Sequence, residues 1–316
     1  MQRQPTSFRW NRLRRVLLAL AATLAFTASA DTPRPAPSAP VPLLWKVSDQ
    51  DNAVYLLGSF HLLRASDYPL SRDVEDAFAD AEAVMFELPP DQIDSAAVTK
   101  QMMQAALRRD GSRLRDELDP QTWQMLEAWA AKNGIPIDSL AAFEPWFVGL
   151  SISITEMMRQ GLDPKLGLDA HFMAQAKATG KPTSGLERVE DQVRLLDGME
   201  ALEQRQFLKE SLEEAAKGAA QTEKLHVAWR NGDARLLWEE MASELKQEFP
   251  NLYQRINVDR NDAWVPKIEQ RLRAPGHDDT LIVVGALHLL GSDGVVEKLR
   301  ARGYRVERIC SACRTK

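Results

Sequence analysis

Apolar positions fall into short runs near both ends of the chain and recur at helical spacing through its middle. Leu43 to Val47 and Val54 to Leu57 are mainly apolar, and the turn formers Ser48, Asp49, Gln50, Asp51 and Asn52 separate them, so a hairpin ending at Gly58 is predicted. Val74, Phe78 and Ala81 mark a helix over Arg72 to Ala81, and Val84 to Leu88 reads as a third strand. From about Gln92 to Arg273 the period is helical, punctuated by Asp119-Pro120, Gly134, Glu144-Pro145, Gly161 and Gly180. Within this lobe, Lys181 to Leu186 follows a helix stop and reads as a short strand. The chain then closes as a β-α-β unit: Thr280 to Val284 is a continuous β-rich run, Ser292 to Arg302 is amphipathic, Gly303 stops it, and Tyr304 to Ile309 alternates. The expected class is α/β, a mixed β-sheet core with a large helical lobe.

The N-terminus belongs to none of these elements. Arg3, Arg9, Arg12, Arg14 and Arg15 precede an apolar run from Val16 to Phe26, and Ala28-Ser29-Ala30 offers small residues before Asp31. This is the layout of a secretory signal peptide over residues 1–30, and the run is short for a membrane span. A Pro/Ala-rich linker over 31–42 and one domain over 43–313, with a helical insertion at about 92–273, complete the expected organisation. Periplasmic or secreted localisation follows, without stable membrane insertion after cleavage. Without the leader, 35 lysines and arginines face 45 aspartates and glutamates, a formal charge of −10. Nucleic acid is thereby a poor partner, since phosphate binding needs a basic patch. Cys310 and Cys313 lie close together near the C-terminus, and in an oxidising compartment a local disulfide is expected.

One internal similarity points to chemistry. Leu56-Leu57-Gly58-Ser59-Phe60-His61-Leu62-Leu63 matches Val283-Val284-Gly285-Ala286-Leu287-His288-Leu289-Leu290. Sixteen glycines and five histidines would produce only about a quarter of one Gly-x-x-His by chance, so two copies after β-rich runs carry weight. A glycine directly after a strand permits a turn or a close approach, and the histidine then projects near the carboxyl edge, where open α/β sheets bind ligands. Glu87, after the third strand, adds a carboxylate. Two imidazoles and a carboxylate can hold a divalent ion and a water of lowered pKa. The same residues can act without metal, one histidine as general base and Glu87 orienting it. The plainer alternatives are a hydrogen-bonded structural histidine and a helix-capping or surface-paired Glu87. His171 and His226 fall in helical stretches and His277 in a solvated turn.

With strand-Gly-Ser-Phe-His, Phe-Glu-Leu, Val-Gly-Ala-Leu-His and a terminal Gly-Tyr-Arg-Val strand, the chain resembles the TraB/PrgY/GumN family over about Leu43 to Ile309. Leu168-Asp169, Gly185-Leu186-Glu187 with Gln192, and Arg260-Asn261 look like its middle motifs. The resemblance implies an α/β fold related to the Tiki metalloproteases and to the haem-binding ChaN and erythromycin-esterase-like proteins. Tiki proteins use a divalent cation, manganese or cobalt, to cleave peptides near an N-terminus; zinc is a further option here. His61, Glu87 and His288 match the metal positions, Glu187 a further acidic position and Arg260 a polar one. Glu187 is then a fourth ligand or a base, and Arg260 stabilises an oxyanion. Asp169 is expected as the N-cap of a helix over Ala170 to Thr179, and Asn261 as a support for Arg260. The resulting expectation is an exported metal-dependent hydrolase, a peptidase by preference, that uses a metal-activated water on a peptide or small-molecule substrate. Its rivals are a metal-free esterase-type hydrolase and a non-catalytic protein binding haem, iron or a peptide.

Overall fold

The computed structural model describes residues 38–93 and 96–315; the expected signal peptide and most of the expected linker lie outside the described residues. Its strands are β1 (Leu44–Ser48), β2 (Ala53–Ser59), β3 (Ala83–Phe86), β4 (Thr183–Gly185), β5 (Thr280–Gly285) and β6 (Arg305–Arg308). They form one mixed sheet in the order β4-β3-β5-β2-β1-β6. The protein is thus α/β, as its periodicity predicts. The almost wholly apolar β2 and β5 are buried along their full lengths at the centre of the sheet. β6 reads Arg-Val-Glu-Arg and is half exposed at the edge.

Register sets where the strands end. β1 and β2 form the predicted hairpin, with Leu44 opposite Leu57 and Ser48 opposite Ala53. β2 runs parallel to β5, β5 to β3, and β3 to β4. Four consecutive strands therefore point the same way and finish at Ser59, Gly285, Phe86 and Gly185 along one edge. The segments that follow these ends carry His61, His288, Glu87 and Glu187.

Seven helices bear on the argument: α1 (Arg72–Asp80), α2 (Pro145–Arg159), α3 (Leu168–Thr179), α4 (Ala201–Lys217), α5 (Ala219–Arg230), α6 (Asp259–Leu272) and α7 (Val295–Ala301). α2 packs along α4 over a separate apolar cluster containing Leu126, Trp129, Ile152, Leu208 and Leu212. α5 returns to the sheet: buried Trp229 donates Nε1–H to the Gly58 carbonyl at 2.9 Å. His226 Nε2 lies 2.8 Å from the fully buried Asp67 carboxylate, which also accepts from Arg230. The loop that leaves β2 is thus held from the helical lobe. π-helical turns at Glu239–Ser243 and Gln254–Val258, the second directly before α6, are not foreseen by a 3.6-residue period. Cys310 and Cys313 form the expected disulfide. Among the described residues no helix is long and apolar enough to cross a membrane.

Candidate active site

His61 lies two residues beyond β2. Phe60 before it is buried and meets the rings of His226 and Trp229, each with centroids 6.2 Å away. The His61 side chain itself is 56% exposed, so packing does little to fix it. A Cβ on Gly167 would overlap the His61 carbonyl oxygen, so only glycine lets the start of α3 come this close. Gly167 is the N-cap residue of α3, not Asp169 as expected. Asp169 instead turns out of the helix, and its Oδ2 accepts from Ser59 Oγ at 2.5 Å and lies 2.7 Å from His61 Nδ1.

Glu87 follows β3 directly, and Glu187 lies two residues beyond β4; the Glu187 amide donates to the Glu87 carbonyl at 2.9 Å. Glu87 Oε1 accepts the Gly285 amide at 2.7 Å. Arg260, on the first turn of α6, joins the two carboxylates. Its Nη2 donates to Glu87 Oε2 and Glu187 Oε1, each at 2.5 Å, and its Nε to Glu187 at 3.1 and 3.2 Å. Nη1 reaches the Ile256 carbonyl at 3.3 Å and His288 Nε2 at 3.0 Å. These contacts engage all five guanidinium N–H groups. Trp264, one turn further on, lies 4.7 Å beneath the guanidinium and donates to Glu187 Oε2 at 3.2 Å. Gln192 donates to Glu187 Oε1 at 2.7 Å.

His288 sits in the 3-10 turn after β5 and is buried. Its Nδ1 lies 2.8 Å from Asn261 Oδ1, while Asn261 Nδ2 donates to the Asp293 carbonyl at 2.8 Å. That second bond orients the amide, so its oxygen faces the ring, Nδ1 carries the proton, and Nε2 is left to accept from Arg260. Asn261 therefore positions His288 and not Arg260.

The environments drive the two histidines apart. The Asp169 carboxylate pushes His61 up to about 9, helped by the hydrogen bond and by Glu87 and opposed by partial desolvation of the half-exposed ring and by Arg260. Burial pushes His288 down to about 3, with Arg260 adding to the shift. Burial disfavours the charged form of Glu87, but Arg260, His288, His61 and the Gly285 amide together hold its carboxyl well below the usual range. At neutral pH, then, His61 is an imidazolium, His288 a neutral ring and Glu87 a carboxylate.

Glu87 Oε1 lies 3.9 Å from His61 Nε2 and 4.0 Å from His288 Nε2, so the two Gly-x-x-His segments do deliver their rings to one carboxylate. Among the described residues, however, the only three such groups with ligand atoms all within 4.8 Å of one another are Glu210, Glu214 and Glu244. The two imidazole Nε2 atoms are therefore farther apart than that, beyond the roughly 4.2 Å spanned by two metal–nitrogen bonds of about 2.1 Å. Arg260 also occupies the His288 lone pair. As arranged, His61, Glu87 and His288 do not enclose a single ion.

Gly285 marks the centre of the cluster. A Cβ there would lie 3.1 Å from His61 Nε2, 3.2 Å from Glu87 Oε1 and 3.6 Å from His288 Cδ2. Its backbone φ of −49° suits any residue, so Gly285→Ala should fold with a stability change within about 2 kcal/mol. The methyl group would nevertheless fill the space between His61, Glu87 and His288, and any turnover carried by them should fall at least about tenfold. Thermal unfolding and a rate measurement on the same sample check both halves.

Fold and site together define an α/β protein with a histidine, carboxylate and arginine centre on the carboxyl edge of four parallel strands. The chain belongs to the TraB/PrgY/gumN family, whose sequence model matches residues 43–308. It is 26% identical over 259 residues to YbaP of Escherichia coli (strain K12), a protein named as uncharacterized, covering 78% of this chain and 87% of that one. It is 28% identical over 305 residues to Metalloprotease TIKI2 of Danio rerio, covering 80% of this chain and 58% of that one. No solved structure matches the chain.

Proposed function

We propose that the chain is an exported hydrolase, a peptidase by preference, carried on one domain of residues 43–313, with its chemistry at His61, Glu87 and His288. The observation that carries this reading is the pair of Nε2 distances, 3.9 and 4.0 Å, to the same oxygen of Glu87. Such gaps are too long for direct hydrogen bonds and suit a small reacting group shared between ring and carboxylate. In its free-base form, His61 takes a proton from the attacking water through Nε2; the imidazolium so formed returns that proton to the leaving amine. Neutral His288 and Glu87 hold the opposite side. Arg260 keeps Glu87 ionised, and Glu187 holds Arg260 in place; the engagement of every Arg260 donor argues for this role over the oxyanion contact expected for it.

A pH dependence follows. With His61 at about 9, its free base grows roughly tenfold per pH unit from neutral upward, so kcat/KM should climb and level off above that value. A rate that falls through the same region would make His61 the acid and reverse its role.

A second reading is a metal-dependent hydrolase. Both rings have Nδ1 held by an oxygen and Nε2 turned toward Glu87, which is how imidazole ligands are braced, and TIKI2 is named a metalloprotease. In that case His288 would have to give up its contact with Arg260 and the two rings would have to close on Glu87 before the three could hold a cation, whose chemistry would be to lower the pKa of a bound water. Cleavage of a peptide library by the purified protein, with elemental analysis and exhaustive chelation, tests both readings. Cleavage that survives chelation supports the direct proton-transfer route, and loss restored by manganese, cobalt or zinc supports the metal route. No cleavage of peptides or esters under any condition would sink the hydrolase reading.

A further inference from the structure

We propose that Asp169 is a positioning residue for the reaction, holding His61 in one ring orientation and one tautomer through Nδ1. This rests on the hydrolase reading above. His61 is more than half exposed, and its ring would otherwise sample several rotamers at an entropic cost to any step that needs Nε2 in one place. Asp169 Oδ2 receives two donors from the same strand end, Ser59 Oγ at 2.5 Å and His61 Nδ1 at 2.7 Å. The chain bends at His61, just after β2 ends at Ser59, and this brings His61 Nδ1 and Ser59 Oγ within reach of one carboxylate oxygen. Ser59 is buried, so its hydroxyl also fixes that oxygen from beneath.

The place of Asp169 on α3 favours this role. It lies at the second helical position, where the positive end of the helix stabilises a carboxylate, yet the cap residue is Gly167 and the side chain turns toward β2. On the other ring Asn261 Oδ1 does the equivalent job at 2.8 Å, so each Nε2 is turned toward Glu87 by an oxygen behind Nδ1. An amide oxygen is therefore sufficient to hold a ring in this site. With Ser59 and His61 both donating, an asparagine at 169 should present its oxygen and not its NH2.

The test uses the full chain labelled with ¹⁵N-histidine and a fluorogenic peptide library. Asp169→Ala should lower kcat about 100-fold while KM stays within about threefold, and Asp169→Asn should recover kcat to within about tenfold of the parent. Ring ¹⁵N spectra at about pH 10, where the ring is neutral, should show His61 protonated at Nδ1 in the parent and in Asp169→Asn, and a tautomer mixture in Asp169→Ala. His61→Ala assigns the signals. Parent-like kcat and His61 signals in Asp169→Ala overturn the proposal, as do equal losses in both variants with those signals unchanged. Should the library remain uncleaved by the parent, the hydrolase reading fails, and the spectra alone still decide whether Asp169 holds the ring.

Discussion

Arg260→Ala is expected to lower the unfolding free energy by about 3–5 kcal/mol at neutral pH, the largest stability effect of any single substitution in the site. The side chains of Arg260, Glu87 and Glu187 are only 14%, 12% and 10% exposed, and the guanidinium is the charge that lies against both carboxylates. Removing it leaves two buried anions with hydrogen-bond donors and only one remaining countercharge, the half-exposed His61 imidazolium 3.9 Å from Glu87. The pH dependence identifies this cause. In the parent, Glu87 is held below its ordinary value of 4.5, so its stabilisation is present above that value and is lost as the pH falls through its depressed one. In the variant, burial of Glu87 is no longer outweighed by Arg260, so the deficit is greatest at neutral pH and shrinks as acid protonates Glu87. Urea unfolding at several pH values measures this. Combining Arg260→Met with Glu87→Gln and Glu187→Gln should restore most of the loss, because it removes the charges together. A deficit that is the same at all pH values would mean that lost packing against Trp264, and not charge, sets the effect.

What was legible in the sequence follows the range over which each signal acts. The burial of β2 and β5 is written in local apolar runs, and a glycine after each run is a local sign that the backbone turns. Two distant copies of that local pattern were enough to predict that His61 and His288 share an edge. Glu87 was legible for the same reason, as a charge after an apolar strand. The partners behind the rings were not. Asp169 meets His61 across 108 positions, and Asn261 meets His288 across 27, contacts decided by how α3 and α6 dock on the sheet. An aspartate near a helix start reads as a cap unless something shows that a glycine already occupies that place. Likewise, the commitment of all five Arg260 donors depends on strand order, which places Glu87, Glu187 and His288 around one side chain. The π turn at Gln254–Val258 shifts the face that α6 presents, and a helical period cannot anticipate it.

The largest effect on rate should come from His61→Ala, a loss of about 10²–10⁴-fold in kcat/KM, with a stability loss confined to its ion pair with Asp169 and smaller than that of His288→Ala. The contrast with His288 gives this its force. His61 is half exposed and its removal opens no buried cavity, while Asp169 keeps the Ser59 hydroxyl as a donor. His288 is buried against Trp264, with ring centroids 4.4 Å apart, so His288→Ala loses packing and strands both Asn261 Oδ1 and an Arg260 donor. That variant should lose stability as well as rate. If the chemistry resides at the exposed ring, His61→Ala separates activity from folding and His288→Ala does not. Denaturant midpoints and cleavage rates on the same preparations measure the separation. Full activity in a stably folded His61→Ala protein would remove His61 from the reaction, and the direct proton-transfer route would lose the base on which it depends.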